Sequence, residues 1–392
     1  MTSLLNIFKK NFSFRLLKKK DLLIFDYYSL RDLKKNINIK NYEILDYRNE
    51  INLVVVFIMI INLKFEKKFY FYFYLKSVQP KIIITTVDNN LAFYKLKDIF
   101  PNVKTILVQT AYQHNKYIDN FYQLKKNKKI KKYSVDYVFC LNEGFAKLYS
   151  KHLKVKKTFV IGSLRNNHPV KIKKNKKTII SYISQYRSHG KWNDIFHTFE
   201  NKIILKRDFY DLEMKLIPII ANFCKKKKFL FRIIGSSTKD QKNEKNFYQN
   251  LIGYNNWKFL EKNNQDMQYL KDGGVKVNYT NSYKHILQST VNIFAESTLG
   301  FESLARGIKT LSFFARKSLN NNKAYFGWPS QKKPRGFIWT NTVSEKEFYR
   351  LINNVLPLSK KNWDIYHNNK LKNIIAFDKD NKTLKNFLKN SL

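Results

Sequence analysis

Two successive series of short β-branched runs, each followed by a helical pattern, constrain the fold of this chain more than any other feature. The first series contains DLLIFD at Asp21–Asp26, NYEILDY at Asn41–Tyr47, KIIITTVDNN at Lys81–Asn90, VKTILVQT at Val103–Thr110, VDYVFCL at Val135–Leu141 and TFVIGS at Thr158–Ser163. NNHPVKIKKNKK, Asn166–Lys177, breaks the rhythm with a proline and a charge run and is the expected linker. The second series runs through TIISYIS at Thr178–Ser184, FLFRIIGSS at Phe229–Ser237, a short strand at Trp257–Leu260, and two runs flanking a turn near residue 300. Strands alternating with helices favour parallel sheets with helical crossovers. At 392 residues the chain also exceeds what one core usually supports, so two α/β domains are expected.

The last strand–helix–strand pattern of the second series is NIFAESTLGFESLARGIKTLSFF, Asn292–Phe314. Its spacing predicts a strand, a polar turn through Glu296, Ser297 and Thr298, a helix over Leu299–Arg306 closed by Gly307, and another strand. The first amides of such a helix lack intrahelical partners and can hold an anion. Ser297 and Thr298 supply hydroxyls for capping or for phosphate, with Leu299 beside them, and Gly300 admits a ligand close to the backbone. Glu302 then lies where ribose hydroxyls would fall, or simply favours the helix dipole.

This turn resembles the nucleotide-sugar-binding turn of bacterial surface carbohydrate biosynthesis proteins, a group similar to two-domain GT-B glycosyltransferases. TTVDNN at Thr85–Asn90, SYISQYR at Ser181–Arg187 and FGWPSQKKPRGFIWTN at Phe326–Asn341 agree with it in order and character. The resemblance implies an α/β fold of two Rossmann-like doubly wound domains with a cleft between them and a C-terminal helical return. The expected boundaries are 1–167 for an acceptor domain, 178–343 for a donor domain, and 344–392 for helices packing back on the first domain, with Trp363 and Tyr366 as anchors.

Ligands of open parallel sheets bind beyond the carboxyl ends of the strands. Residues at such ends are Asp88, Asn89 and Gln109 in the first half, and Arg187, Gly235, Ser236, Ser237 and the Glu296–Gly300 turn in the second. The implied chemistry moves a sugar from a nucleotide-sugar donor to a glycan or lipid-linked acceptor. Arg187 is the candidate cation for the leaving diphosphate, or else one more of the 74 cations, and the Gly235 loop is expected to admit the diphosphate or the base. Asp88 is the candidate base, or else a cap for the following helix, and His114 is the second candidate. Trp328 and Trp339 offer planes for a sugar or base, or close the core. Retaining members of the GT-B group carry two glutamates eight positions apart, whereas Glu302 is followed at that spacing by Thr310, so inversion is expected. No metal-ligand spacing is present, and neither a metal nor a permanently bound cofactor is expected. The rival functions are a nucleotide-sugar epimerase of the same fold and a non-catalytic polyanion-binding protein.

A net charge of +45, from 74 Lys and Arg against 29 Asp and Glu, suits an anionic membrane or a polyanion. The basic residues are spread along the chain with abundant Asn, Ile, Phe and Tyr, as A/T-rich codons would produce, so specific nucleic-acid binding is not expected. Cys140 and Cys224 are expected as buried free thiols of a reducing compartment. The amino terminus has no cleavage site for secretion, which implies a cytoplasmic protein with peripheral contact at the inner membrane face left open. INLVVVFIMIINL, Ile51–Leu63, falls short of the roughly 20 residues needed to cross a bilayer. It is expected as a buried element, with an interfacial role for its continuation Phe65–Leu75 as the alternative.

Overall fold

The computed structural model describes residues 11–34, 41–112, 133–172, 177–187, 192–199, 202–236, 240–262, 267–269, 275–277, 280–316, 325–330 and 333–392. His114 and Ser237 lie outside these residues. The chain divides into two compact units, the first comprising Met1–Thr110, Asp119–Asn167 and Asp378–Leu392, the second Ala111–Ile118 and His168–Phe377.

In the first unit a short parallel pair, β1 (Asn11–Ser13) with β4 (Glu50–Asn52), stands apart from a six-stranded sheet. The sheet contains β2 (Leu22–Phe25), β3 (Tyr42–Leu45), β5 (Ile82–Thr85), β6 (Lys104–Val108), β7 (Ser134–Cys140) and β8 (Lys154–Val160), all parallel, in the spatial order β3-β2-β5-β6-β7-β8. Its crossovers carry α1 (Tyr27–Leu33), α2 (Leu53–Ile61), α3 (Lys67–Val78), α4 (Leu91–Ile99) and α5 (Glu143–His152). The last strand starts at Lys154, four residues before the sequence run suggested. It is an edge strand whose lysines point to water, and that masks its hydrophobic pattern.

The second unit has its own six-stranded parallel sheet: β9 (Ile179–Ile183), β12 (Leu230–Ile234), β13 (Trp257–Leu260), β16 (Val291–Phe294), β17 (Thr310–Phe313) and β18 (Trp339–Thr340). Two antiparallel hairpins are inserted, β10 (Ile195–Phe199) with β11 (Lys202–Leu205), and β14 (Met267–Tyr269) with β15 (Val275–Val277). The helices are α6 (Lys206–Lys227), α7 (Gln241–Ile252), α8 (Thr280–Leu287), α9 (Thr298–Ala305), α10 (Glu345–Val355) and α11 (Lys360–Tyr366). The spatial order β13-β12-β9-β16-β17-β18 is 3-2-1-4-5-6 when the strands are counted along the chain, the order of a dinucleotide-binding Rossmann sheet.

Two expectations need correcting. Residues 344–377 belong to the second unit, because Phe348, Leu351, Ile352 and Val355 of α10 bury an apolar face there, with the Phe348 ring 5.3 Å from that of Phe223 on α6. Trp363 holds the segment in place, its indole donating to the Gly307 carbonyl at 2.8 Å. The return to the first unit is made by Asp378–Leu392 alone. There α12 (Lys382–Ser391) inserts Leu384 and Leu388 among Leu22, Ile24, Ile82 and Ile106 of the first core.

The second correction concerns Ile51–Leu63, which is not buried as a whole. It supplies a strand end and α2, of which only Val55 and Met59 are buried. Cys140 and Cys224 are buried free thiols, and burial pushes the Cys224 thiol to about 12.

Candidate nucleotide-sugar site

In a 3-2-1-4-5-6 sheet the crevice opens where the strand order reverses, between the carboxyl ends of the first and fourth strands. Those strands are β9 and β16, which pair in register through Ile183 and Phe294. The chain leaving β9 carries Ser184, Gln185, Tyr186 and Arg187, and the chain leaving β16 carries Glu296, Ser297 and α9. Gln185 ties the two together, its side-chain oxygen accepting from the Glu296 backbone amide at 3.0 Å.

The turn has the predicted layout, and Gly307 closes it at φ 70°. Ser297 is the N-cap residue of α9, but its side chain makes no capping bond. The Thr298 hydroxyl accepts from the Tyr112 amide at 3.1 Å, and the Tyr112 ring stacks on Phe301 with centroids 3.6 Å apart. Leu299 is half-buried. At Gly300 an added Cβ would come within 2.1 Å of the Phe294 ring, so the close approach that this glycine permits is made by a core aromatic. Glu302 is 4% exposed and accepts from the Tyr283 hydroxyl at 3.0 Å. Arg306 donates to the His168 carbonyl at 2.7 Å and lies over the Tyr283 and Phe377 rings, and burial lowers its pKa.

Beneath the turn is a buried ion cluster that the sequence did not disclose. Arg316, 1% exposed, donates twice to Glu213, stacks over the Phe209 ring and lies 3.6 Å from the Glu296 carboxylate. Tyr182 also donates to Glu213, at 2.9 Å. Burial works against the Arg316 charge, but Glu213 and Glu296 more than offset it and hold the guanidinium above its ordinary range. Arg187 keeps an exposed side chain, while its backbone amide and carbonyl both bond the Tyr210 hydroxyl, at 2.7 and 2.8 Å.

A second buried carboxylate organises the Gly235 loop. Glu244 accepts from the Ser236 amide at 2.9 Å, from the Ser236 hydroxyl at 3.2 Å and from Ser184. A Cβ at Gly235 would meet the Phe259 ring at 2.9 Å and the Leu260 carbonyl at 3.1 Å. Trp328 is half-buried, with a cis peptide to Pro329. Trp339 closes the core, 7% exposed and stacked on Phe326 at 5.1 Å. A basic cavity of about 700 Å³, lined by Lys177, Lys228, Arg232 and Lys258 among others, opens at the amino ends of β9, β12 and β13, the opposite edge from the turn.

In the first unit Asp88 follows β5 and is 7% exposed. Its carboxylate accepts from the Tyr149 hydroxyl at 2.9 Å and its carbonyl from Tyr94 at 2.6 Å. The cap of α4 is Asn90, which accepts from the Ala92 amide, so capping does not account for Asp88. Asn89 is exposed between them. Gln109 is fully buried and accepts from the Leu141 amide at 3.2 Å, joining the ends of β6 and β7. Among the described residues no group of three His, Cys, Asp or Glu side chains is arranged to hold a metal ion.

A family model described as "putative O-antigen biosynthesis protein" matches residues 106–392. The chain belongs to this family. No curated protein matches it. Among solved structures, UDP-GlcNAc 2-epimerase from Methanocaldococcus jannaschii is similar with a TM-score of 0.50 and 10% identity, covering 94% of this chain and 99% of the epimerase. The wall teichoic acid polymerase TagF, as its H548A variant, is similar with a TM-score of 0.49 and 12% identity, covering 95% of this chain and 89% of TagF. The epimerase of Neisseria meningitidis bound to UDP-GlcNAc gives 0.48 and 10%, covering 94% and 99%. This O-antigen family member thus has the expected α/β, GT-B-like fold, built on two six-stranded parallel sheets.

Proposed function

We propose that the protein is a glycosyltransferase of surface polysaccharide biosynthesis, moving a sugar from a nucleotide-sugar donor to a polysaccharide or lipopolysaccharide acceptor. One observation carries this reading: the Glu296–Gly300 turn and the amino end of α9 lie at the switch point of a 3-2-1-4-5-6 sheet. Membership of an O-antigen biosynthesis family supports the pathway class. The name of the M. jannaschii epimerase supports a nucleotide-sugar as the ligand of this fold.

In the proposed site the α9 amides, Ser297 and Thr298 take the diphosphate, Arg187 adds positive charge, and the Gly235–Ser236 loop flanks it. Glu302 accepts the ribose hydroxyls, and Trp328 supplies an apolar plane. Asp88, oriented by Tyr149, takes the proton of the acceptor hydroxyl as its oxygen attacks the anomeric carbon and the nucleoside diphosphate leaves. His114 is the alternative base. The reaction is metal-independent and inverting in this reading.

The test is thermal unfolding with a panel of UDP-, GDP-, dTDP- and CDP-sugars and CMP-linked sugars. A ligand specific to the folded state adds about 2.7 kcal/mol at a hundredfold excess over its Kd. Selective stabilisation by one nucleotide, weakened by about 1.5–3 kcal/mol of binding energy in Glu302→Ala, is expected. Tyr283→Phe, which removes only the hydroxyl donor to Glu302, should keep the donor. Stabilisation by none of the panel would sink the proposal, and conversion of the sugar without any acceptor would replace transfer by epimerisation.

A further inference from the structure

Helix α2, LVVVFIMII, contains no polar residue, yet only Val55 and Met59 of it are buried. Phe57, Ile60 and Ile61 are 63%, 50% and 65% exposed and lie at helical spacing on one face. Leu63 and Phe65, 76% and 70% exposed, carry that face beyond the helix end. Leu63 sits at φ 52°, a left-handed position that helices usually give to glycine, and here it holds a branched apolar side chain in water. Phe14, 79% exposed, follows β1, the strand beside α2. About half of the exposed large apolar side chains among the described residues fall in these neighbouring segments. Such concentration marks an interaction surface, since scattered exposure needs no partner and a contiguous face does.

Charge selects the partner. Lys64, Lys67 and Lys68 follow the helix and Lys18 and Lys19 follow Phe14, all of them exposed, with Glu66 paired to Lys68 at 2.9 Å. A second copy on this face would set lysine against lysine in a chain of net charge +45. An anionic bilayer complements both the apolar face and its basic rim. A nine-residue helix is roughly 14 Å long against about 30 Å of hydrocarbon, and no helix among the described residues is long and apolar enough to cross. We propose that α2 and the Leu63–Phe65 turn are a monotopic docking surface that lies in the headgroup region of an anionic lipid bilayer. This goes beyond the transferase reading and uses none of its residues, so each proposal can fail alone.

Flotation of the full chain with vesicles of equal parts phosphatidylcholine and phosphatidylglycerol tests it, with pure phosphatidylcholine as the comparison. The wild type should float with the mixed vesicles. Phe57→Ser/Ile61→Ser should weaken the partition at least about tenfold, as should Leu63→Ser/Phe65→Ser, which leaves the helix itself intact. Lys64→Gln/Lys68→Gln should weaken binding to the mixed vesicles about tenfold at low salt. Because all six side chains are exposed, each variant should unfold at the wild-type temperature. Wild type that floats with neither vesicle, or apolar variants that float as well as wild type, would overturn the proposal. So would light scattering that shows a dimer abolished by Phe57→Ser/Ile61→Ser, since the face would then belong to a second copy.

Discussion

Replacing Arg316 by Met isolates the ion cluster under the Glu296–Gly300 turn. The guanidinium is 1% exposed and makes two hydrogen bonds to Glu213, whose own side chain is fully buried. Truncation therefore leaves a carboxylate with no cation in a dry site and only the Tyr182 hydroxyl facing it at 2.9 Å. Breaking a buried pair from one side costs about 3–5 kcal/mol, mostly the penalty of the orphaned charge. Glu213→Gln in the same chain removes that charge, so the double variant should recover a large part of the loss, a coupling that a double-mutant cycle reads directly. Urea unfolding followed by tryptophan fluorescence measures both. A loss under about 1 kcal/mol, or one that Glu213→Gln does not relieve, would refute the idea that Arg316 serves as the desolvated partner of Glu213.

Further expectations follow from single contacts. Asp88→Asn should leave donor-induced stabilisation intact and lower turnover by about 10² to 10⁴-fold in a coupled transfer assay, and unchanged turnover would remove Asp88 from the mechanism. Gly300→Ala places a methyl 2.1 Å from the Phe294 ring and should cost about 1–3 kcal/mol in a thermal melt. The Cys224 thiol, buried and held near 12, should ignore an aromatic disulfide reagent at pH 8 until denaturant is added.

The strand series was legible because buried parallel strands such as IIIT at Ile82–Thr85 are continuous apolar runs cut off by turn residues. The strand, turn and helix around Glu296–Gly300 were legible for the same reason, with Gly307 marking the helix end. What could not be read is what depends on pairing at a distance. Arg316 is one of 74 cations in the sequence, and only the fold brings it to Glu213 and Glu296. A helix-start pattern could have hinted at Glu244 in the first turn of α7, but not at its grip on Ser236. The Gly300 expectation went to a ligand where a ring stands, because sequence shows that space is needed and not who fills it. The α2 segment misled in the opposite sense, since composition reports how apolar a helix is and not how much of it finds cover.

The return of Asp378–Leu392 to the first unit bears on the order in which a ribosome can build this protein. Leu384 and Leu388 complete a core that otherwise draws on residues from Leu22 to Leu164, and Asn381 joins Asn167 at 2.7 Å. The first unit's sheet thus waits for Asp378–Leu392 before its core can close. The second unit, contained between Ala111 and Phe377, has all of its residues in hand first. The second unit can thus have its full set of residues before the first, and a chain interrupted before Asp378 would carry a finished second sheet and an unfinished first core.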